Sequence, residues 1–208
     1  MLLYLLRHGE SDGNRDGRFR GRTDFPLTER GLMQAENAAE FLEKTEIKRI
    51  YTSPLKRAYC TAEIIANRKK IPFSVEGRLN NIFLGKWEAR YKKDIQKEFP
   101  AEWDLWTKSP EYLKMEGSET LDSVQKRAVE AVNELCCNRN ENVLAVSHRA
   151  VIKPLIAGLL NIQKPYFWRL HIDTAALSVL ELLDEERGWM LKNLNVNHYL
   201  KSFEEEKF

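Results

Sequence analysis

Hydrophobic positions follow two regimes along this chain: short unbroken apolar runs, and longer stretches with an apolar residue every three or four positions. Residues 2–6 are one such run, which predicts a strand covered on both faces. Residues 8–27, rich in Gly, Asp, Asn and Arg, predict a long functional loop. Thr28 reads as a helix N-cap, and Leu32, Ala35, Ala38, Ala39 and Leu42 give a helical stripe up to about Lys44. Residues 47–52 predict a second strand. Ser53-Pro54 then predicts a helix start, with Pro at the first helical position and Ala58, Ala62, Ile65 and Ala66 continuing it. Residues 73–75 predict a short strand. Residues 79–117 hold Phe83, Trp87, Phe99, Trp103 and Trp106, interrupted by Gly85, Pro100 and Pro110. They predict short helices and loops, a lid that covers the sheet and selects the substrate. Residues 118–137 predict an amphipathic helix with Leu121, Val124, Ala128, Ala131, Val132 and Leu135 on one side. Residues 142–147 predict a buried strand and 148–160 a helix. Residues 177–183 and 189–194 predict two closing strands, joined through 184–188. The charged tail, 202–208, is predicted to fray. Strands alternating with long helices predict an α/β fold of three layers, αβα, with a mostly parallel central sheet. No repeat, low-complexity stretch or strong linker divides the chain, so 1–208 reads as a single domain.

Composition narrows the class. Among 208 residues, 43% are apolar and 31% charged, with a formal net charge of +2. That balance speaks against a nucleic-acid-binding protein, and leaves room for a local basic pocket. Cys60, Cys136 and Cys137 are odd in number and lack a Cys-x-x-Cys, so neither a disulfide framework nor a metal knuckle is expected. Reduced, buried thiols in the cytoplasm are the expectation. The apolar start is too short, and lacks a basic flank, for a signal peptide, and no run approaches a membrane span.

Chemistry gathers at the predicted strand ends. The first strand ends in Arg7-His8-Gly9, the second leads to Ser53 and Arg57, and a late one ends in Ser147-His148. Ligands of such sheets bind beyond the carboxyl ends of the strands. Two histidines and two arginines on one rim suit a phosphate dianion, whose oxygens match guanidinium forks.

The segments carrying these residues continue into a longer ordered set. It runs Leu6-Arg7-His8-Gly9-Glu10-Ser11 with Asn14, Arg20-Gly21, Thr23-Asp24-Phe25-Pro26-Leu27-Thr28, and Thr52-Ser53-Pro54-Leu55-Lys56-Arg57-Ala58. It resumes at Arg78-Leu79, Gly85-Lys86-Trp87-Glu88, Gly117-Ser118-Glu119 and Val146-Ser147-His148. This set resembles the histidine phosphatase superfamily, the group that includes cofactor-dependent phosphoglycerate mutases, over nearly the whole chain. The resemblance implies a phosphomonoester hydrolase acting on a small phosphorylated metabolite. His8 attacks phosphorus and becomes phosphohistidine, while Arg7, Arg57 and His148 clamp the oxygens and water then releases phosphate. Ser11, Asn14, Arg20, Gly21 and Thr23 are implied in holding the substrate. Neither a cofactor nor a metal is implied, because the cationic side chains do the neutralising. A homodimer is implied as well.

Two positions depart from the family pattern. The family has Leu-x-Glu-Ile where this chain has Leu79-Asn80-Asn81-Ile82, so Asn81 occupies the usual place of the proton donor. An amide donates no proton to a departing alkoxide, and general acid catalysis is typically worth about 10²–10⁴-fold. Glu88 is the nearest candidate for a substitute acid, and a carboxylate tied to backbone is its other reading. Arg149 stands where the family has Gly, either adding a cation to substrate binding or turning outward. Two further readings follow: a weakly active or regulatory pseudo-phosphatase subunit, which Asn81 and Arg149 favour, and a mutase. The mutase ranks below because mutases of this family run longer, with an insertion this chain lacks.

Overall fold

A computed structural model describes residues 1–138, 140–184 and 186–201. Its strands are β1 (Leu2–Arg7), β2 (Ile47–Thr52), β3 (Phe73–Val75), β4 (Asn142–Ser147), β5 (Leu177–Leu182) and β6 (Trp189–Val196). They form one sheet in the order β3-β2-β4-β1-β5-β6. The first four of that order run parallel, whereas β5 is antiparallel to both β1 and β6. The helices are α1 (Asp12–Arg15), α2 (Glu29–Leu42), α3 (Lys56–Lys69), α4 (Lys92–Glu98), α5 (Pro100–Lys108), α6 (Leu121–Leu135) and α7 (Arg149–Leu159). No helix among the described residues is long and apolar enough to cross a membrane.

The unbroken apolar run of β1 has a direct physical origin. Successive side chains of a strand point to opposite faces, so a strand covered on both sides must be apolar at every position. Leu3 and Leu5 pack with Val124, Ala128 and Val132 of α6 and with Ile152 and Leu155 of α7. Tyr4 and Leu6 pack the other way, against Ala38, Ala39 and Leu42 of α2 and Ala62 and Ile65 of α3. These two cores make the three expected layers, with helices on both faces of a mostly parallel sheet.

Several local expectations differ from what the chain does. The residue 8–27 loop contains one helical turn, α1, entered through Ser11. The helix after β2 starts at Lys56 rather than Pro54, because the Ser53 hydroxyl is engaged by His148 Nε2 at 2.8 Å. The helix expected from Ser118 starts at Leu121: Thr120 caps it by accepting from Ser123 N, while Ser118 N closes a turn onto Met115 O. Leu32 is 45% exposed, and Gly31 rather than Leu32 is the buried position one turn before Ala35. Of the three thiols only Cys136 is buried; Cys60 is half-buried and Cys137 exposed, all three free. The tail at 202–208 lies outside the described residues.

The aromatic segment packs into the α6–α7 side of the sheet, where Trp87, Ile95 and Trp106 are buried. Trp87 and Trp106 grip Phe19 of the first loop, with ring centroids 4.7 and 5.4 Å away. The loop and the segment also pair through backbone: Phe19 N donates to Arg90 O and Lys92 N to Gly17 O.

Candidate active site

The site begins where three strands stop at the same level. In the register Arg7 faces Ser147 and Thr52 faces Val146. The chain then continues in step, with His8 N donating to Ser147 O and Ser53 N to Val146 O, both at 3.0 Å. His8, Ser53 and His148 therefore emerge side by side, and the two imidazole centroids lie 5.0 Å apart.

His8 is 2% exposed, and its Nδ1 lies 2.6 Å from the carbonyl oxygen of Gly9. A carbonyl only accepts, so Nδ1 must carry the proton. Burial, then the charges of Arg57 and Arg7, push His8 well below the ordinary histidine value. A neutral ring with its proton on Nδ1 has its lone pair on Nε2, the form a nucleophile requires. His148 is equally buried and likewise pushed well down, by burial and then by Arg57 and His8. Its Nδ1 has no hydrogen-bond partner among the described residues.

These two shifts give stability a pH dependence of known sign. In the unfolded chain both histidines take a proton near pH 6.5, whereas in the folded protein they resist it. Their contribution is complete above that pH and is lost as pH falls below it, by up to about 1.4 kcal/mol per pH unit for each histidine. Urea unfolding between pH 7.5 and 5.5 should therefore show a steeper loss for the wild type than for His148→Gln. Parallel slopes for the two proteins would contradict this.

Three guanidiniums surround the imidazoles. Arg7 is buried and donates to Ile172 O at 2.9 Å. Arg57, fully buried, donates through Nη1 to Thr23 O and through Nη2 to Gly21 O, at 2.9 and 2.8 Å. Burial, then Arg20, lowers Arg57 to about 9, so it keeps its charge at neutral pH. Arg20 is braced by the carbonyls of Gly13 and Arg18. Arg7, Arg20 and Arg57 are the cations that act on both imidazoles.

A pocket opens over His8 and His148. Arg7, Arg20, Gly21, Asn81 and Arg149 of the expected residues line it, so Arg149 contributes to the pocket wall. Its guanidinium also stands 5.9 Å from the Trp168 ring centre. Ile82, Leu84, Trp106 and Phe167 give it an apolar side, whereas Phe83, Trp87 and Trp103 do not reach it. Arg18 and Lys92 complete the wall and were not foreseen. No local sequence pattern marks either of them, and the pairing of their two segments brings them in.

Five expected residues lie outside this lining. Ser11 donates through N and Oγ to Asn14 Oδ1, at 3.1 and 2.7 Å, which leaves Asn14 Nδ2 buried without a partner among the described residues. Arg57 Nε is in the same condition. Thr23 is a brace: its N and Oγ1 both donate to Glu88 Oε2. Glu88 takes the backbone-bound one of its two readings. Its oxygens also accept from Arg22 N and Leu84 N, so the carboxylate is spent as an acceptor for backbone amides, and it does not line the pocket. It further explains Gly21, which has φ +47° and whose Cβ would sit 1.7 Å from Glu88 Oε1.

Asn81 does reach the pocket. Its Nδ2 donates to Gly21 O at 2.8 Å, and its Oδ1 is buried with no partner among the described residues. Its backbone carbonyl is held by Arg22 Nε and Arg127 Nη2, both at 3.2 Å.

Comparison with known proteins shows the family. The sequence model described as Histidine phosphatase superfamily (branch 1) matches residues 3–197. Phosphoserine phosphatase 1 of Hydrogenobacter thermophilus is 33% identical over 202 residues, spanning 97% of this chain and 95% of its own. Adenosylcobalamin/alpha-ribazole phosphatase of Escherichia coli is 29% identical over 183 residues, spanning 88% and 90%. The solved structure of Bacillus stearothermophilus YhfR superposes with a TM-score of 0.90 at 31% identity, covering 96% of this chain and 99% of that one.

Proposed function

The chain belongs to branch 1 of the histidine phosphatase superfamily, and on that premise we propose that it hydrolyses small phosphomonoesters through a phosphohistidine on His8. The observation that carries this reading is the state of His8: buried, neutral, and tied through Nδ1 to Gly9 O, with Nε2 left as the base. Nε2 attacks phosphorus as the bond to the leaving oxygen breaks. Arg7, Arg20 and Arg57 carry the charge spread over the phosphoryl oxygens, where catalysis is mostly positioning and electrostatic stabilisation. His148 Nδ1, Arg57 Nε and Asn14 Nδ2 are buried polar groups awaiting partners, and phosphoryl oxygens would supply them. Water then attacks the phosphohistidine, releasing phosphate and restoring neutral His8. Splitting one displacement into two lowers each barrier.

A metal ion has no part in this reading. Among the described residues the pocket wall carries five cationic side chains, which serve the phosphoryl group directly. Arg149 belongs to substrate binding here, and Ser11, Thr23 and Glu88 hold the loop that carries Arg20 and Gly21. The names of the relatives, a phosphoserine phosphatase and an alpha-ribazole phosphatase, support a small phosphorylated metabolite as the substrate.

The test is hydrolysis of an activated aryl phosphate in the presence of a chelator, followed by rapid acid-free denaturation to trap labelled protein. Chelator-resistant turnover with phosphate bound to histidine is the expected result. Absence of both turnover and label would favour the pseudo-phosphatase reading, for which Asn81 at the donor position is the specific support.

A further inference from the structure

Two buried charged side chains take no part in the chemistry derived above. Glu111 and Lys153 are each 3% exposed. A carboxylate or an ammonium taken out of water is costly unless hydrogen bonds compensate it. Both reach the same short segment. Glu111 stands in a single helical turn, Pro110–Tyr112, that follows α5. Its Oε1 accepts from Tyr166 N and from Phe167 N, both at 2.6 Å. Lys153, from α7, donates through Nζ to Phe167 O at 2.9 Å and stands 4.5 Å from the centre of the Phe167 ring. The N–H and the carbonyl of Phe167 are thus held by opposite charges from two different elements. Hydrogen bonds to ionised groups are shorter than neutral ones and about twice as strong.

Phe167 is where this clamp meets the pocket. It lines the wall together with Trp106, the two ring centroids 5.7 Å apart. Trp168 Nε1 donates to Trp106 O at 2.8 Å, which ties the same two segments a second time. Well-packed apolar residues would join residues 111 and 167 without the desolvation cost of two charges, so burial alone does not account for them. What the charges add is direction. They fix an N–H and a carbonyl, and a phenyl ring with only two side-chain torsions is placed once its backbone is.

We propose that Glu111 and Lys153 are positioning residues for substrate specificity. By fixing the Phe167 main chain from both sides, they set its ring as the apolar surface on which the alcohol part of the substrate packs. This rests on the phosphomonoesterase reading and deepens it: the phosphoryl end sits over His8, and the alcohol carries an apolar or ring portion toward Phe167. Neither Glu111 nor Lys153 lines the pocket, so both act through Phe167.

The test titrates two ligands by calorimetry, which needs no turnover. Methylphosphonate fills only the phosphoryl end, whereas 2-phenylethylphosphonate extends a ring toward Phe167. Wild type is expected to bind the phenylethyl ligand about tenfold or more tighter, the scale of a small apolar group in a fitted pocket. That ratio should fall by about tenfold in Glu111→Ala and in Phe167→Ala, with methylphosphonate binding unchanged. Glu111→Gln keeps an acceptor for the two amides and should keep the larger part of the ratio. The double variant should be no worse than Phe167→Ala alone, because residues that act through one contact do not add. Lys153→Met keeps the apolar stem and removes the bond to Phe167 O, and the same loss is expected there even if Glu111→Ala does not fold. Equal binding of both ligands by wild type overturns the proposal. So does an unchanged ratio in the folded variants, additive losses in the double variant, a ratio lost as fully in Glu111→Gln as in Glu111→Ala, or methylphosphonate binding that weakens in step. Failure of the phosphatase reading looks different: aryl phosphate turnover survives in His8→Ala while the binding ratios stand.

Discussion

His8→Ala is expected to lose aryl phosphate hydrolysis by at least about 10³-fold, together with all acid-labile phosphate on the protein. The size of the effect follows from the role. Arg7, Arg57 and His148 remain in that variant and still bind the phosphoryl group, but no group is left to form the covalent bond. His148 is not expected to replace His8, since its Nε2 is engaged by Ser53 Oγ at 2.8 Å and its Nδ1 is assigned to hold a phosphoryl oxygen. Binding and turnover should therefore separate: inorganic phosphate still competes in the variant, while kcat collapses. A change confined to KM, or turnover within tenfold of wild type, would remove His8 from the nucleophile's role. The variant creates a small cavity beside Arg7, and a urea unfolding curve measured alongside shows whether the loss is chemical or structural.

Asn81→Glu should raise hydrolysis of an alkyl phosphate by about 10²–10⁴-fold and change that of an activated aryl phosphate little. An alkoxide leaves poorly without a proton, whereas a phenolate of low pKa needs none. Position 81 is suited to the task because Arg22 and Arg127 fix its carbonyl and its side chain already lines the pocket. The surrounding cations keep the introduced carboxyl ionised in the empty pocket, and the bound phosphoryl dianion, a like charge, raises its affinity for a proton. The gain should therefore decline above neutral pH as the carboxyl loses its proton. Glu88→Gln provides the contrast. Glu88 accepts from three backbone amides and the Thr23 hydroxyl, so that variant should lower stability and leave the ratio of alkyl to aryl rates where it was. A ratio that collapses in Glu88→Gln would make Glu88 the acid after all.

The two predictions depend on different levels of information. The place of His8 was legible in sequence because strand ends are local features. An unbroken apolar run marks β1 and another marks β4, and the polar residue that follows each run marks its end. The same pattern located His148, and with it the rim on which the site is built. Asn81 was legible only as a departure from a family motif; nothing in its neighbours' periodicity singles it out.

What the sequence by itself determined is therefore the strands, the helices that cover them, and which residues stand at the carboxyl ends. Periodicity encodes these because burial of each face is decided by residues only two to four positions apart. Tertiary structure alone decided the rest. Glu88 became a backbone anchor because residues 22, 23 and 84 deliver amides to it from two separate segments. Ser53 turned from a helix cap into a partner of His148 because β2 and β4 end in register. Arg18 and Lys92, 74 positions apart in sequence, became neighbours in the pocket wall because Phe19 is seated between Trp87 and Trp106. The physical reason is common to all three. A charge or hydrogen bond acts over a few ångströms in space, and which side chains come that close depends on sheet register and core packing across the whole chain.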